Sequence, residues 1–248
     1  MSKEILGGKN VVLEILRAGR RTVFRLYWAR RARDVSSEEI LSLAKKRGVA
    51  LQESTPEKIS NLCASQEHQG VAIEVSPFEY AELSDVIPAA QKNPKGGFIV
   101  CLDEIQDPHN VGALIRTAYL CGASGMVLLK HRQALITNTV CKAAAGAQEY
   151  LPIVQETNLV NTIQALKKND FLVVGAAGEG RSLYKEKLQF PCALILGSEG
   201  RGLRRLVREN CDQLVSIPME GKVGSFNVSV AGGILMAEIA RRKADVSK

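Results

Sequence analysis

The segment FIVCLDEIQDPHNVGALIRTAYLC, residues 98–121, shows the unit from which the larger part of the chain is built. It begins with a continuous apolar run, Phe98–Leu102, which is followed by a polar loop and by a stretch of helical character over 110–121. A continuous apolar run is typical of a parallel strand whose two faces are both covered by helices. The segment therefore predicts one strand–loop–helix unit of an α/β sheet.

The same strand–loop–helix pattern recurs toward the C-terminus. The further predicted strands are Met126–Leu129, Phe171–Ala176, Ala193–Gly197 and Leu214–Ile217, and the further predicted helices lie near 137–146, 159–168, 202–210 and 228–243. Together these elements predict a parallel α/β sheet, in which ligands bind beyond the carboxyl ends of the strands. We therefore expect the functional residues in the loops that directly follow strands.

A smaller α/β pattern fills the first 76 residues. Helices are predicted over 9–19, from Ser36 to Gly48 and from Pro56 onward, and strands are predicted over 22–29, 49–53 and 70–75. Residues 77–97 contain three prolines and two glycines, a composition typical of a linker with room for a short helix. The predicted organisation is a small domain over 1–76, a linker over 77–97 and a larger domain over 98–248.

The composition is typical of a soluble globular protein without a membrane span. The 248 residues are 46% hydrophobic and 24% charged, which excludes disordered, collagen-like and coiled-coil chains. No uncharged apolar run approaches the ~18 residues that cross a bilayer, and the N-terminus lacks the apolar core of a signal peptide. We therefore expect a cytoplasmic protein.

Cysteine and histidine predict neither a disulfide framework nor a metal site. The six cysteines include no CxxC pair, and the three histidines have no metal-ligand spacing. Free cysteines of this kind behave as small apolar residues. We therefore expect reduced, mostly buried thiols and no bound metal.

The positive charge, +7 in total, is distributed unevenly along the chain. Between positions 17 and 33 there is no acidic residue, and the arginines there are Arg17, Arg20, Arg21, Arg25, Arg30, Arg31 and Arg33. Phe24, Tyr27 and Trp28 lie among them, and arginines interleaved with aromatic side chains suit the phosphates and bases of RNA or of a single strand. The alternative is a solvated rim beside a buried strand. We predict RNA contact at this segment.

Three loops in the larger domain carry residues that local structure alone does not require. The first is DPHNVGALIRTA, residues 107–118, in which Asn110 is in position to cap a helix and Gly112 and Ala113 leave its first turn nearly bare. Arg116 lies three and four residues beyond that small pair and shares its face. Capping and close packing explain the small residues, but they do not explain an arginine in an otherwise apolar helix. The pattern favours close approach of a chain such as RNA.

The second loop lies in LILGSEGRGL, residues 194–203, which places three glycines after a strand and Glu199 among them. Glycines permit unusual backbone angles and expose amides to a ligand, although a tight strand-to-helix turn is an alternative. The Rossmann and Walker A fingerprints are both absent from the sequence. Their absence argues against a nucleotide-dependent oxidoreductase and a P-loop enzyme.

The third loop lies in IPMEGKVGSFNVSVAGGILMAEIARR, residues 217–242. Its polar residues Ser225, Asn227 and Ser229 alternate with apolar ones and lead into a helix, where serine and asparagine are ordinary caps. Gly232 and Gly233 inside that helix cost about 1 kcal/mol each relative to alanine. Close approach of another helix or of a second subunit would account for them.

Taken together, the three loops resemble the SpoU (TrmH) family of RNA ribose 2′-O-methyltransferases. The matching strings are DPHNVGALIRTA, LILGSEGRGL and IPMEGKVGSFNVSVA, in the family's order and at similar spacing. Residues 1–75, which end in HQGVAIEV, resemble the small ribosomal-protein-like substrate-binding domain of the family's rRNA-modifying branch. The resemblance implies a C-terminal α/β-knot (SPOUT) domain, in which the last segment is threaded through a loop as a deep trefoil knot.

The resemblance also implies a cofactor, a site and partners. The cofactor is S-adenosylmethionine, and its binding residues are Ala176, Leu196, Gly197, Ile217, Met219 and Phe226, the last of which is usually leucine in the family. The functional positions are Asn110, Arg116, Glu199, Asn227 and Ser229. The family works as a homodimer through this domain, and the N-terminal domain favours a guanosine of large-subunit (23S-type) rRNA as the substrate.

The implied reaction is methyl transfer to a ribose 2′-hydroxyl, for which the protein aligns the hydroxyl and manages one proton. We expect Arg116 to organise the ribose and its phosphate, and Glu199 and Asn227 to position Arg116 by hydrogen bonds. Ser229 either does the same or caps the last helix. Because the pKa of arginine lies above about 12, the sequence does not decide between a base and a purely electrostatic role. The alternatives are a tRNA 2′-O-methyltransferase and a non-catalytic RNA-binding or ribosome-assembly factor on the same scaffold.

Overall fold

A computed structural model of the chain describes residues 2–29, 35–221 and 224–246. In chain order its elements are β1 (Glu4–Gly7), α1 (Lys9–Ala18), β2 (Val23–Trp28), α2 (Val35–Lys46), β3 (Ala50–Glu53), α3 (Pro56–Cys63), β4 (Val71–Val75), α4 (Leu83–Gln91), β5 (Phe98–Asp103), α5 (Pro108–Leu120), β6 (Gly125–Leu129), α6 (Asn138–Ala143), a 3-10 turn (Ala147–Glu149), β7 (Ile153–Glu156), α7 (Leu159–Lys168), β8 (Leu172–Ser182), β9 (Cys192–Gly197), α8 (Arg205–Glu209), β10 (Gln213–Ser216) and α9 (Val228–Val246).

These elements belong to two compact units. The N-terminal unit comprises Met1–Glu79 and Ile136–Tyr150, and the C-terminal unit comprises Tyr80–Leu135 and Leu151–Lys248. The sequence placed residues 136–150 in the larger domain, whereas in the structure α6 and the 3-10 turn belong to the N-terminal unit. Helix α4 lies within the stretch that the sequence predicts as a linker, and Val86, Ile87 and Ala90 pack into the core of the C-terminal unit.

The N-terminal unit contains a four-stranded sheet in the order β1-β4-β2-β3. Strands β2 and β3 run parallel, and the other neighbours run antiparallel. Tyr27 and Ala72 lie opposite each other in the sheet and pack on Ile59 of α3. Side chains alternate between the two faces of a strand, so the paired and fully buried Leu26 and Ile73 point to the other side. Both faces of this sheet therefore contribute to the core.

A buried ion pair holds the 136–150 segment in the N-terminal unit. Arg21 Nε lies 3.0 Å from Glu149 Oε1, and the two side chains are 3% and 2% exposed. Arg21 Nη1 also donates to Glu4 Oε2 at 2.8 Å. Asn138 adds two hydrogen bonds, since its Oδ1 accepts from the amide of Gly7 and its Nδ2 donates to the carbonyl of Cys63. These contacts join residues that are distant in the sequence, and local periodicity does not reveal them.

The C-terminal unit confirms the predicted parallel α/β fold. Its six-stranded sheet has the order β10-β8-β9-β5-β6-β7, and every pair of neighbours is parallel. All five predicted strands of this unit are present, although β8 continues to Ser182, well beyond its predicted end at Ala176. The short strands β1 and β7 were not predicted. Both lie at a sheet edge, where four residues give too little periodicity to detect.

Helix α9 brings the chain back from the edge of this sheet toward its centre. Strand β10 lies at the edge, whereas α9 packs against α5 and β9. A Cβ at Gly232 would lie 2.3 Å from Leu114 Cδ2 and 2.9 Å from Leu196 Cδ1. Close approach of α5 therefore explains Gly232, which is one of the two explanations that the sequence left open. At Gly233 the nearest such contact is at 4.0 Å, so packing within the chain does not explain this second glycine.

In the described part of the chain, no helix is long and apolar enough to cross a membrane, and no cluster of three or more His, Cys, Asp or Glu is arranged to hold a metal ion. The six cysteines are free, and they are Cys63, Cys101, Cys141 and Cys192, which are buried, and Cys121 and Cys211, which are half-buried. Burial raises the pKa of Cys141 and of Cys192 to about 12. These thiols therefore stay protonated, in agreement with the expectation of unreactive, mostly buried cysteines.

Candidate active site

The three loops that the sequence analysis singled out meet at the carboxyl ends of β5 and β9. Strand β5 ends at Asp103, which is paired in register with Gly197, the last residue of β9. The loop after β5 leads into α5, the loop after β9 leads into α8, and the segment before α9 is joined to both by hydrogen bonds. This is the edge of the sheet at which ligands of parallel α/β folds bind.

Asn110, Glu199 and Asn227 form a polar cluster, with one residue from each loop. Asn110 Nδ2 donates to Glu199 Oε1 at 3.0 Å, and Asn227 Nδ2 donates to the same oxygen at 2.6 Å. Asn227 Nδ2 also lies 3.1 Å from Asn110 Oδ1, and the amide of Val228 donates to Glu199 Oε1 at 3.3 Å. Three donors therefore fix one carboxylate oxygen of Glu199. Its second oxygen, Oε2, has no hydrogen-bond partner among the residues that the structure describes.

Helix α5 is capped by Asp107 and not by Asn110. Asp107 Oδ1 accepts a hydrogen bond from the amide of His109 at 3.0 Å, and Pro108 occupies the first helical position. The prediction that Asn110 caps this helix is wrong, because the helix begins two residues before Asn110. Asn110 lies in the first turn, 8% exposed, where its side chain serves the polar cluster.

Asn227 caps α9 with one end of its carboxamide and joins the polar cluster with the other. Its Oδ1 accepts from the amides of Ser229 at 2.9 Å and Val230 at 3.4 Å. Ser229 Oγ donates to the same oxygen at 2.5 Å. Ser229 therefore reaches the polar cluster through Asn227, and the position of Asn227 couples the start of α9 to Glu199.

The structure does not bring Arg116 to the polar cluster within one chain. Arg116 is exposed and lies six residues after Asn110 on α5, so its side chain points about 240° further around the helix. Glu199 and Asn227 bond to Asn110, to each other and to the start of α9, and neither bonds to Arg116. The prediction that these two residues position Arg116 by hydrogen bonds is therefore wrong for a single chain.

A larger cavity of about 470 Å³ opens beside the polar cluster. Its lining includes all six residues that the resemblance associates with the cofactor, Ala176, Leu196, Gly197, Ile217, Met219 and Phe226. Glu199 and Val228 line it as well. Its volume falls in the range of ~300–1,000 Å³ that is usual for small-molecule sites.

The walls of the larger cavity fit a ligand with a flat apolar base and a polar tail. Met219 and Phe226 are 42% and 41% exposed, and they offer apolar surface that such a base would cover. At Gly178, Gly200 and Gly224, which also line the cavity, a Cβ would meet no atom within 4 Å. The backbone there is open to polar groups of a ligand. The residues present therefore suit S-adenosylmethionine, the cofactor that the resemblance implies.

A smaller cavity of about 330 Å³ adjoins the larger one. The two share Ser198, Glu199, Arg201 and Val228. The remaining walls of the smaller cavity are Glu104, Ile105, Gln106, Asp107 and Asn110. The polar cluster thus lies between two spaces, in a position to act where ligands in the two cavities meet.

Sequence reasoning missed the ion pair that supports the loop after β9. Arg204 Nε donates to Asp103 Oδ1 at 2.6 Å, and the amide of Arg204 donates to Asp103 Oδ2 at 2.9 Å. The side chain of Asp103 is fully buried, and a buried carboxylate requires such partners. The available signal was an aspartate that ends a wholly apolar strand. The pair fixes the loop that carries Glu199 to the end of β5.

The N-terminal arginines differ in what their side chains contact. Three of them are exposed, and these are Arg17, Arg20 and Arg25. Arg17 pairs with two glutamates, and Arg25 donates to Gln52. The expectation of RNA contact at Arg21 is corrected, because its buried guanidinium is already bound by Glu4 and Glu149. The other three, Arg30, Arg31 and Arg33, lie outside the described residues.

Comparison with known proteins matches both parts of the chain. Residues 97–237 match the SpoU rRNA Methylase family, and residues 5–81 match the domain described as RNA 2′-O ribose methyltransferase substrate binding. A putative TrmH family tRNA/rRNA methyltransferase of Bacillus subtilis, YacO, is 40% identical over 242 residues, which are 97% of this chain and 96% of that protein.

Solved structures share the fold along nearly the whole chain. An rRNA methyltransferase from Sinorhizobium meliloti has a TM-score of 0.77 at 26% identity, with 97% of this chain and 87% of that chain covered. The SpoU methyltransferase AviRb from Streptomyces viridochromogenes, solved in complex with AdoMet, has a TM-score of 0.80 at 19% identity, with 98% and 91% covered. With two family matches and a relative at 40% identity along its whole length, the chain belongs to the SpoU family of S-adenosylmethionine-dependent RNA methyltransferases.

Proposed function

We propose that the chain transfers a methyl group from S-adenosylmethionine to the ribose 2′-hydroxyl of a guanosine in large-subunit rRNA. The observation that supports this reaction is the position of the polar cluster between two adjoining cavities. A donor in the larger cavity and a ribose in the smaller one would meet beside Glu199, which lines both. The arrangement suits transfer of a group from one ligand to another.

The larger cavity binds the donor in this proposal. Leu196, Met219 and Phe226 would cover the adenine, and the open backbone at the cavity glycines would bind the polar tail. S-adenosylmethionine supplies a methyl group on a positively charged sulfur, and its transfer requires the accepting oxygen in line with that methyl. Alignment alone lowers such barriers by up to ~7–11 kcal/mol. The fold relative AviRb was solved with the same cofactor.

Glu199 orients the ribose. Three donors fix its Oε1, which leaves Oε2 available to accept a hydrogen bond from a ribose hydroxyl. A carboxylate that is already held in place needs little reorganisation when the hydroxyl reacts. Asn110 and Asn227 act through Glu199, and Ser229 acts through Asn227.

The proposal includes a homodimer formed through the C-terminal unit, in which Arg116 of one subunit serves the site of the other. Near Arg116 on α5, Tyr119 is 40% and Leu120 is 71% exposed, and Val230 on α9 is 50% exposed. Exposed apolar side chains of this size are typical of protein contacts. In the second subunit's site, the guanidinium would organise the ribose and its phosphate through charge and forked hydrogen bonds.

The proposed substrate is rRNA because of the N-terminal unit. Its sequence matches the substrate-binding domain, and the Sinorhizobium meliloti rRNA methyltransferase aligns along both units. The exposed arginines Arg17, Arg20 and Arg25 provide positive charge for the phosphate backbone. The proposal also assigns RNA contact to Arg30, Arg31 and Arg33, which lie outside the described residues.

The test is incubation of the purified chain with methyl-labelled S-adenosylmethionine and with separated rRNA and tRNA from a strain that lacks the gene. A 2′-O-methyl group blocks alkaline cleavage of the next phosphodiester bond, so the label should appear in alkali-resistant dinucleotides of large-subunit rRNA that begin with guanosine. Label in tRNA alone would show that the substrate is tRNA and not rRNA. A protein that binds the donor but labels neither RNA would be a binding factor, and the proposed reaction would be wrong.

A further inference from the structure

Two arginines, one that lines the smaller cavity and one that approaches a residue of its wall, have no role in the site described above. Arg201 lies at the tip of the loop after β9, between Gly200 and Gly202, and lines the cavity. It is exposed and makes no hydrogen bond or ion pair with any residue in the described ranges. Arg132 follows β6, and its side chain is 76% exposed. Both guanidinium groups are accessible to a ligand.

Glu104 relates both arginines to the smaller cavity. Glu104 lines the smaller cavity together with Arg201, and its Oε1 lies 3.7 Å from Arg132 Nη1. The same oxygen is closer to Arg204, whose Nη1 lies at 3.2 Å. Glu104 therefore pairs mainly with Arg204, and Arg204 also pairs with the buried Asp103. Arg132 keeps most of its capacity to bind an anion.

The walls and the rim of the smaller cavity carry opposite charges. The walls include the carboxylates of Glu104, Asp107 and Glu199, which repel a phosphate but accept hydrogen bonds from ribose hydroxyls and from the N–H groups of a base. Arginine, by contrast, binds phosphate oxygens with a planar fork of donors. A nucleotide within a strand has a matching distribution, because its uncharged nucleoside is flanked by two anionic phosphates.

We propose that the smaller cavity receives the nucleoside of the target nucleotide, turned out of its strand, and that Arg132 and Arg201 bind the phosphates on either side of it. Enzymes that act on a nucleotide inside a strand commonly extrude it into a pocket in this way. The inference rests on the proposed function in one respect, namely that the strand is RNA. It adds a phosphate-binding site on the C-terminal unit to the arginines of the N-terminal unit.

The test measures the salt dependence of RNA binding by the full chain. The probe is a fluorescent single-stranded RNA of mixed sequence and about 12 nucleotides, a length within the usual ~4–16 nucleotide sites. Each phosphate contact contributes about 0.7 to the slope of log K against log salt for a single strand. We expect Arg132→Ala and Arg201→Ala each to lower the slope by about 0.7 and the double variant by about 1.4. The affinity for S-adenosylmethionine should stay unchanged in Arg132→Ala, and it is measured separately for Arg201→Ala because Arg201 also lines the larger cavity.

The matched control is Arg241→Ala, which removes the same charge elsewhere on the C-terminal unit. Arg241 is 61% exposed and lies thirteen residues, or about 20 Å along α9, after Val228, the residue of this helix that lines the smaller cavity. The salt slope of RNA binding by the Arg241→Ala variant should equal that of the wild type. A wild-type slope in the double variant, an equal decrease in the control, or no salt-dependent binding by the wild type would each overturn the phosphate site.

Methyl transfer by the same proteins separates this inference from the proposed function. A double variant with a lowered slope, in a chain that methylates no RNA, would support the phosphate site while the proposed function fails. A chain that methylates RNA normally, with no change of slope or rate in the double variant, would overturn the phosphate site alone.

Discussion

Each of the two units contains a network of charged and polar side chains, and the networks differ in the space around them. In the N-terminal unit, Arg21 and Glu149 are 3% and 2% exposed, and the adjoining void of about 20 Å³ has room for about one water molecule. In the C-terminal unit, Glu199 is exposed between cavities of about 330 and 470 Å³. The first network pairs its charges inside the unit with no room for a ligand, whereas the second leaves a carboxylate oxygen for a ligand.

The same contrast in exposure and in existing partners separates structural from functional arginines. Arg21 belongs to a basic stretch typical of RNA contact, yet its guanidinium is bound inside the unit. Arg116 occurs in an apolar helix, yet it is exposed. Residue type and sequence context do not distinguish the two cases, but exposure and existing partners do. Changes in the first network should therefore affect stability, and changes in the second should affect chemistry.

The largest expected effect is on stability, from Arg21→Met. Removal of one partner from a buried ion pair leaves the other charge uncompensated, which costs about 3–5 kcal/mol in the free energy of unfolding. Urea denaturation measures this loss, and the affinity for S-adenosylmethionine should stay unchanged while the protein is folded. The control is Arg21→Met combined with Glu149→Met, which removes both charges and should recover part of the loss. A loss below about 1 kcal/mol in the single variant would contradict a structural role.

Arg116→Ala should have the largest effect on the reaction. Loss of a charged group that stabilises the reacting centre typically lowers kcat by about 10²–10³. Because Arg116 lies outside the larger cavity, the affinity for the methyl donor should stay at the wild-type value. Single-turnover kinetics and isothermal calorimetry measure the two quantities separately. Wild-type turnover in this variant would remove Arg116 from the mechanism.

Mixing of two impaired variants tests whether Arg116 acts across a dimer. Arg116→Ala and Glu199→Gln subunits, when allowed to exchange, form mixed dimers in which one of the two sites keeps both residues. With random exchange about a quarter of the wild-type activity should return. If Arg116 serves the site of its own chain, each site of the mixed dimer lacks one of the residues and the activity does not rise above the mean of the two separate variants.

Glu199→Gln should reduce kcat by about 10- to 100-fold, since a hydrogen bond to a charged group is worth about 1.5–3 kcal/mol. The amide oxygen still accepts from Asn110 and Asn227, so the fold of the loops should persist. Glu179→Gln is the matched control, because Glu179 also lines the larger cavity but pairs with Arg208 outside the polar cluster. Equal losses in the two variants would show a general effect of charge rather than a specific role of Glu199.

Replacement of Arg17, Arg20 and Arg25 by alanine should weaken RNA binding without a change in donor affinity. If each contacts one phosphate, the salt slope for a single strand should fall by about 2. Arg21 is left in place, so the N-terminal unit should stay folded, and this can be checked by thermal unfolding. An unchanged salt slope would show that RNA does not bind at these arginines.

The sequence predicted what local patterns determine and missed what distant contacts determine. Five of the six strands of the C-terminal unit were predictable because most of them contain a continuous apolar run, and the three loops were recognisable because each follows a strand or precedes a helix. The membership of residues 136–150 in the N-terminal unit depends on Arg21 and Glu149, which are 128 positions apart. The pair between Asp103 and Arg204 spans 101 positions. No periodicity or spacing rule predicts ion pairs between residues so far apart in the sequence.

The smallest expected effect is that of Phe226→Leu, which removes an aromatic ring from the wall of the larger cavity. An aromatic contact is worth about 0.5–1.5 kcal/mol beyond the area it buries, so the affinity for S-adenosylmethionine should fall by about two- to tenfold. Phe226 is 41% exposed, so the melting temperature of the protein without ligand should not change. Tyr27→Leu provides the contrast, because Tyr27 is 7% exposed in the core of the N-terminal unit and its loss should lower the melting temperature with no effect on donor affinity. A fall in melting temperature for Phe226→Leu with unchanged donor affinity would mean that the ring stabilises the fold and does not bind the cofactor.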